Sequence, residues 1–297
     1  NYIIVLLTNG KSRKQIGDAL EAFQKDDAVR VVVADAIGNI ASLGDWRQRL
    51  SEEWAVGLRR IALRFPNISE LAEGRRLMAR DVVRDVLVAM GVACGRDQVR
   101  RAVASAIHAI VLEEVGQVVM ARDEVRDLLV AMGFASRGDA VRRNVAGAIR
   151  NVAKCVVESS WYDTSPSFVS MMVMAQDAVR DVLVAIGATC GCDAVRENVA
   201  CAIINIARCE EGARVMARDD VRELLVAMGA ACRSDGVCWE VARAIRIIAS
   251  ECEDGQRVMA SVGVRDMLVA VGRAAGTDLA RENVARAVTY LARLDDG

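Results

Sequence analysis

The sequence predicts an all-α solenoid, a stack of short helical units that share one continuous core. Three observations predict it: a phrase that returns about every 42 residues, apolar residues spaced as on one helix face, and few helix breakers. The 297 residues include only two prolines, and aromatic residues make up 4% of a chain that is 53% hydrophobic. The apolar content is therefore mostly small and aliphatic, which suits close helix–helix packing.

The repeated phrase is V-R-[DE]-x-L-V-A-[MIV]-G, and we expect it to form the middle helix of each unit. Its five copies end at glycines that are 42, 54, 42 and 43 residues apart. The long interval reflects a 12-residue insertion between Asn151 and Met174. The repeat glycines are Gly91, Gly133, Gly187, Gly229 and Gly272.

An aspartate follows each phrase after a short polar connection, and we expect it to cap the N-terminus of a long helix. In one copy of this helix Val199, Ala202, Ile203 and Ile206 stand at i, i+3, i+4 and i+7, the spacing of one helix face. A short segment such as 211–218 comes next, so each unit has a short, a middle and a long helix. The aspartates are Asp97, Asp139, Asp193, Asp235 and Asp278, with Asp27 in a degenerate first copy.

This unit resembles the armadillo repeat in its period, in L-V-A-M-G of the second helix and in A-[IV]-x-N-[IV]-A of the third helix. The third-helix motif stands at 36–41, 148–153 and 202–207, and the resemblance covers roughly residues 15–297. It implies a right-handed superhelical α-solenoid of three-helix repeats. HEAT repeats, which have two helices per unit, are the nearest alternative.

The two ends of the chain differ in regularity, which divides it into two parts. Residues 1–71 are predicted to form an atypical N-terminal helical cap with a degenerate repeat, because 44–71 is irregular and contains Pro66. Residues 72–297 are predicted to form the armadillo-like array, interrupted by the insertion near 154–166. Terminal units of solenoids are commonly atypical in this way.

The third helices carry the first candidate site. In armadillo proteins these helices line a concave groove, and the motif asparagine bonds the backbone of an extended peptide, a role that the resemblance implies for Asn39, Asn151 and Asn205. Other polar residues extend the same face, and since buried polar groups need partners, they predict a partner groove. Together with the three asparagines these residues form a polar stripe. The alternative is that this stripe is simply the solvated face of the solenoid. Its other members are Asn144, Asn198, Glu240, Arg243, Asn283, Arg286 and Tyr290.

One departure from the family bears on the ligand. Nuclear-import adaptors carry a tryptophan four residues before the motif asparagine, where this chain has Asp35, Gly147 and Cys201. A basic nuclear-localisation peptide is therefore not the expected ligand. Glu240 would suit a basic partner, whereas the neighbouring arginines would favour an acidic one.

The insertion is the second candidate site. It contains Trp161 and Tyr162 in a loop that interrupts the array, and insertions in repeat proteins often map to binding sites. An exposed Trp–Tyr pair would anchor an interface. The alternative, equally open, is that both rings fold back onto the neighbouring repeats.

The residues offer little material for catalysis or for a cofactor. His108 is the only histidine, so histidine-based triads and multi-histidine metal sites are not predicted. A phosphate-binding loop at 9–12 is not predicted either, because Val5 stands where its first glycine would be. We therefore expect no enzyme activity, no small-molecule substrate, no cofactor and no metal site.

The nine cysteines are an odd number without a C-x-x-C pair, which predicts reduced thiols and a cytoplasmic or nuclear protein. Cys94, Cys190 and Cys232 each lie three residues after a repeat glycine, where other copies have Ser136 and Ala275. This column predicts a small packing side chain. The Arg-Asp or Arg-Glu pair in each phrase predicts solvated or inter-repeat salt bridges.

The sequence thus predicts a non-enzymatic interaction scaffold that binds a partner protein or peptide along the groove. One alternative is a regulatory or structural array that belongs to a larger enzyme or cytoskeletal assembly. Another is an RNA-associated protein, because residues 2–23 resemble the helical hairpin of PWI-like RNA-processing domains, although a net charge of −1 argues against nucleic acid as a partner. The apolar run at 2–7 is too short to cross a bilayer, so no membrane insertion is expected.

Overall fold

The computed structural model describes residues 78–92, 97–154 and 166–292. Within these ranges the chain forms α-helices joined by short connections, and none of the described residues lies in a strand. The all-α prediction is therefore confirmed. The helices are α1 (Asp81–Val92), α2 (Asp97–Ile110), α3 (Glu114–Met120), α4 (Asp123–Ala135), α5 (Asp139–Val152), α6 (Pro166–Met174), α7 (Asp177–Thr189), α8 (Asp193–Ile206), α9 (Glu210–Met216), α10 (Asp219–Ala231), α11 (Asp235–Glu251), α12 (Glu253–Met259), α13 (Val262–Ala274) and α14 (Asp278–Ala292).

The helices fall into three rows, one for each helix of the unit. The third helices α2, α5, α8, α11 and α14 pack side by side in chain order, and the middle helices α1, α4, α7, α10 and α13 form a parallel row. The short first helices are α3, α6, α9 and α12. Three helices per unit confirm the armadillo-type arrangement over the two-helix alternative. No helix in the described ranges is both long enough and apolar enough to cross a lipid bilayer.

One apolar core runs between the rows through successive units. The leucine of each phrase copy is at most 1% exposed, and burying such a side chain contributes roughly 1.5–3 kcal/mol. The methionines that end the first helices α3, α6, α9 and α12 are fully buried. A single unit could not cover these side chains, so the stack is the folding unit. The leucines are Leu87, Leu129, Leu183, Leu225 and Leu268.

The repeat glycine sits where one middle helix meets the next. A Cβ added to Gly133 would lie 2.3 Å from Cγ2 of Val182, and one added to Gly229 would lie 2.4 Å from Sδ of Met267. Both neighbours belong to the middle helix of the following unit. The phrase therefore ends in glycine because adjacent units approach more closely than a methyl group allows.

A second glycine column has the same role between a third helix and the first helix that follows it. A Cβ on Gly116 would lie 1.9 Å from the backbone oxygen of Ile110, and Gly212 stands in the same relation to Ile206. A backbone carbonyl cannot rotate away as a side chain can. These glycines thus fix the turn from each third helix into the next unit.

The predicted capping role of the aspartates is wrong. Asp139 is the first residue of α5, and Gly138, with extended backbone, holds the position before it. In α11 the residue before the aspartate is Ser234, whose Oγ accepts a hydrogen bond from the backbone N–H of Val237 at 3.4 Å. A carboxylate in the first turn still suits the positive end of the helix dipole.

The same aspartates bond the next unit instead. Oδ2 of Asp139 accepts a hydrogen bond from the backbone N–H of Gly191 at 3.1 Å. Its Oδ1 lies 3.2 Å from Nη1 of Arg142, which also donates to the carbonyl of Thr189 at 2.9 Å. Each Asp–Arg pair of this kind holds the end of the following middle helix. Related contacts join Asp97 to Arg137 N, Asp193 to Arg233 N and Asp235 to Gly276 N.

The charged pair inside the phrase lies mostly within one helix. Arg180 pairs with Asp177 and, at 2.6 Å, with Asp181 of α7, and one contact of 4.0 Å reaches Asp220 of the next unit. The acidic partners are about half exposed or more, so these salt bridges contribute little to stability.

Replacing Gly133 by alanine tests the close approach of the units. The new methyl group would overlap the β-branched side chain of Val182, so the free energy of unfolding should fall by about 1–3 kcal/mol. Gly263→Ala is the matched control, because a Cβ there would meet nothing within 4 Å and alanine favours the helix. Urea unfolding followed by circular dichroism compares the two. Equal stability of both variants would contradict the role assigned to the glycine.

Candidate functional site

A polar cleft of about 170 Å³ lies on the row of third helices, where α5, α8 and α11 meet. Residues of three successive units line it, which places the cleft on the surface that the sequence singled out. Of the predicted stripe, Asn151, Asn205, Glu240 and Arg243 come together here. The other lining residues are Arg150, Lys154, Cys201, Ile204 and Arg208.

Several stripe amides bond the neighbouring third helix. Nδ2 of Asn205 donates to the backbone carbonyl of Arg150 at 2.8 Å, across the boundary between two units. These amides therefore help to hold the row of third helices together. The same contact, at 3.3 Å, joins Asn144 to the carbonyl of Arg101 and Asn198 to the carbonyl of Arg143.

The alternative that the stripe is simply a solvated face does not hold for four of its members. Asn151, Asn205, Glu240 and Asn283 are only 7–8% exposed. Nδ2 of Asn283 turns back onto its own helix and donates to the carbonyl of Leu279 at 2.9 Å. Buried amides are tolerated where they find an acceptor, and the acceptor here is a backbone group that no sequence motif reveals.

Asn151 and Asn205 differ although they occupy the same place in their helices. Within the described ranges, the Asn151 amide does not bond the preceding third helix as Asn205 does. Asn151 instead lines the floor of the cleft. Of the two motif asparagines that the structure describes, Asn151 is therefore the one whose amide does not join two third helices.

Glu240 stands in α11 where α8 has Asn198. A carboxylate cannot donate to a carbonyl, and Oε2 of Glu240 lies 3.5 Å from Nη1 of Arg243. Arg243 also packs over the ring of Trp239, with its Cζ 5.8 Å from the ring centroid. Burial, together with the negative charge of Glu240, raises the pKa of the Cys201 thiol to about 12. This thiol therefore stays protonated and is a poor nucleophile at neutral pH.

The cleft is positively charged although the chain as a whole carries a net charge of −1. Four lining residues are basic and one is acidic, which leaves an excess of three positive charges. Nη1 of Arg150 donates to Oδ1 of Asn198 at 3.1 Å, so the guanidinium is held by a neutral group. The basic residues are Arg150, Lys154, Arg208 and Arg243.

The positive charge of Arg150 also affects the pKa of His108 in α2. Its ring reaches Gly147 of α5, where a Cβ would lie 3.1 Å from Cδ2 of the histidine. Burial lowers the pKa of His108, and the nearby charges of Arg150 and Arg143 lower it further. The histidine is therefore neutral at physiological pH. No group of three His, Cys, Asp or Glu residues in the described ranges could hold a metal ion.

The remaining predicted residues do not line the cleft. Arg286 pairs with Glu282 of its own helix at 2.6 Å, and Tyr290 is half-buried in α14. Asn39 of the predicted cap and Trp161 and Tyr162 of the insertion lie outside the described residues.

The sequence interpretation overlooked three of the basic lining residues. Arg150 directly precedes a motif asparagine, and Lys154 and Arg208 each follow a motif asparagine by three residues. A basic residue at the same place in two consecutive units was the signal that could have found them. These basic positions were not predicted because the family motif includes the asparagine and not its basic neighbours.

The cysteine column is partly as predicted. Ser136 and Cys190 are buried and donate to the carbonyls of the repeat glycines Gly133 and Gly187, at 2.8 and 3.2 Å. Ala275 is likewise buried, so the column does take small packing side chains. Cys94 lies outside the described residues.

The expectation that all cysteines are reduced is wrong for Cys232 and Cys238, which form a disulfide. Their Cα atoms are 6.1 Å apart, within the usual range for such bonds. Cys238 occupies the third-helix position that is arginine in α2, α5, α8 and α14, so the disulfide replaces an Asp–Arg pair. Cysteine usage therefore no longer favours a cytoplasmic or nuclear location.

Comparisons with known proteins bear on the fold. No protein-family model matches the sequence, and no curated protein matches it. Among solved structures, an engineered protein is similar with a TM-score of 0.67 and 19% identity, covering 99% of this chain and 97% of its own. A designed armadillo repeat protein in complex with the peptide (KR)4 has a TM-score of 0.61 and 16% identity, covering 98% of both chains.

The chain has an armadillo-like repeat fold. Computationally designed armadillo repeat proteins for modular peptide recognition are also similar, with a TM-score of 0.61 and 15% identity over 97% of this chain and 98% of theirs. At these identities the likeness concerns the armadillo fold alone. The charged cleft is a property of this chain's own residues.

A tryptic digest tests the disulfide, because trypsin cleaves between the two cysteines at Arg233. After alkylation without reduction, fragments 223–233 and 234–243 should remain joined and separate only when a reductant is added. Mass spectrometry reads the result, and the Cys238→Ser variant supplies the unlinked reference. Two separate fragments, each alkylated before reduction, would contradict the bond.

The single histidine gives a prediction on pH dependence. Because the folded-state pKa of His108 is lowered below its ordinary value of about 6.5, the unfolded chain binds the proton more readily. The free energy of unfolding should therefore decrease as pH falls below about 6.5, and His108→Gln should flatten this slope. Arg150→Gln should raise the pKa of His108, measured by proton NMR, whereas Arg257→Gln on a first helix should not. An unchanged pKa in Arg150→Gln would contradict the coupling.

Proposed function

We propose that this protein is a non-enzymatic scaffold that binds an extended segment of a partner protein across the row of third helices. The cleft between α5 and α11 anchors one part of that segment. The observation that carries the proposal is the position of this cleft, whose lining residues come from three successive units of one row.

The size of the cleft favours a peptide segment. A volume of about 170 Å³ accommodates one or two side chains. Packed helices lie about 8–10 Å apart, and two to three residues of an extended chain cover that distance at about 3.3–3.6 Å each. A segment that crosses the row can therefore offer a side chain to the cleft while its backbone continues over the neighbouring third helices.

The polar groups of the cleft suit binding better than catalysis. Cys201 is held protonated beside Glu240, and the neutral His108 stands next to Gly147 and does not line the cleft. Asn151 offers an amide whose donor and acceptor match those of a peptide backbone. The similar designed proteins, one described in complex with a peptide and another as made for modular peptide recognition, support a peptide partner.

The two described motif asparagines should respond differently to substitution. Asn205→Ala removes the bond to the Arg150 carbonyl and should cost about 1 kcal/mol of folding stability, so it is unsuitable as a binding probe. Asn151→Ala should leave stability nearly unchanged, because this amide does not join the third helices.

The test uses the whole chain to select binders from a random 12-residue peptide library displayed on phage. Selected peptides should lose about tenfold in affinity, measured by fluorescence anisotropy, when Asn151 and Lys154 are both replaced by alanine. Arg257→Ala, which changes an exposed side chain of α12, is the control and should leave affinity unchanged. A library that yields no binders, or binders indifferent to the cleft variant, would contradict the proposal.

A further inference from the structure

We propose that the cleft selects partner segments that carry aspartate or glutamate side chains, an inference that rests on the proposed function. Such a segment would place a carboxylate against Arg150, Lys154 and Arg208. Three observations support this proposal. Basic residues outnumber acidic ones in the cleft, they recur at equivalent positions along the row, and the one acidic lining residue, Glu240, already pairs with Arg243.

Two of the cations are not neutralised by the protein. Within the described ranges neither Arg150 nor Lys154 forms a salt bridge, and the contact of Arg150 is to the neutral amide of Asn198 at 3.1 Å. Elsewhere in the third helices the arginines of the first turn are paired with aspartate, for example Arg142 with Asp139. The cleft is thus a place where positive charge is left to be matched by a ligand.

The basic residues are spaced as the units are. Lys154 follows α5 and Arg208 follows α8 at equivalent positions, so they lie one unit apart along the row. Alternate residues of an extended segment project to the same side about 7 Å apart, and long basic side chains can adapt to that interval. An acidic residue at every second or third position of the segment would therefore meet successive cations.

Glu240 does not cancel this preference. Its carboxylate is 7% exposed and lies 3.5 Å from Nη1 of Arg243. It therefore neutralises Arg243, and the charges of Arg150 and Lys154 remain without a salt-bridge partner in the described ranges. A basic segment would meet these cations with its own, and like charges brought together oppose binding.

Nucleic acid fits the cleft less well than a carboxylate does. Binding to a phosphate backbone requires a basic track over several phosphates, and the whole chain has a net charge of −1. The third helices also carry exposed acidic residues, such as Glu197 of α8 and Glu282 of α14. The positive charge is therefore local, as a single anchored side chain requires.

The experiment examines the composition of the selected 12-residue peptides. Aspartate and glutamate should be enriched about twofold or more over the unselected library, and affinity should fall as salt increases. Combined Arg150→Gln and Lys154→Glu should weaken binding of a selected peptide about tenfold or more. Arg257→Glu, which also reverses an exposed charge, is the control and should change the affinity by less than about twofold.

The Glu240→Gln variant should increase the affinity for the peptide, whereas the Arg150 and Lys154 variant should decrease it. Removing the carboxylate releases Arg243 toward the ligand, so the affinity for an acidic peptide should rise by about threefold to tenfold. A residue with only a structural role would not strengthen binding when replaced. Circular dichroism confirms that each variant is folded.

The outcomes separate the inference from the proposed function. Selected peptides that bind at the cleft but are uncharged or basic would overturn the acidic preference without contradicting the proposed scaffold function. A failure to select any peptide would overturn both. A 12-nucleotide single-stranded RNA that displaces the peptide with equal or higher affinity would also overturn the choice of an acidic segment.

Discussion

The close approach of successive units is the constraint on which the rest of this structure depends. Gly133 and Gly229 lie where a methyl group would come within 2.4 Å of the next middle helix, and Gly116 and Gly212 lie where it would strike a backbone carbonyl. Because the units are this close, side chains as short as asparagine and aspartate reach the backbone of a neighbouring unit. The polar contacts between units follow from the packing of the apolar core.

The third-helix row both holds the stack together and forms the candidate site. Asn205 donates to the backbone of the preceding helix, whereas Asn151 at the same place in α5 lines the cleft. Asn198 joins two helices, and its counterpart Glu240 instead engages Arg243. Small changes at repeated positions therefore convert an inter-unit contact into a surface that can recognise a ligand.

The fold followed from the sequence because its period, helix spacing and glycines are set by packing that every unit repeats. The partners of the polar side chains could not be predicted from the sequence. The aspartates looked like helix caps, since the backbone N–H of Gly191 that meets Asp139 belongs to the next unit. Likewise the stripe asparagines were predicted to face a partner groove, because their backbone acceptors are apparent only once the helices are stacked.

The candidate site could be predicted only in outline. The third-helix face and two of the cleft residues, Asn151 and Asn205, came from the armadillo motif, and helix spacing added Glu240 and Arg243. The positive charge also depends on Lys154 and Arg208, which lie just beyond the motif. The disulfide of Cys232 and Cys238 also escaped prediction, because it joins a connection to the first turn of a helix. The disulfide is a departure from the repeat, about which periodicity carries no information, whereas the two basic residues repeat at positions outside the motif.

Cross-linking would locate a bound segment most directly. A selected peptide carrying a photoreactive phenylalanine derivative would be irradiated on the whole chain, and mass spectrometry would identify the linked residues. The central claim predicts links to the third helices α5, α8 and α11 around the cleft, lost when unlabelled peptide competes. Competed links confined to the first helices α9 and α12, with none on the third-helix row, would contradict it.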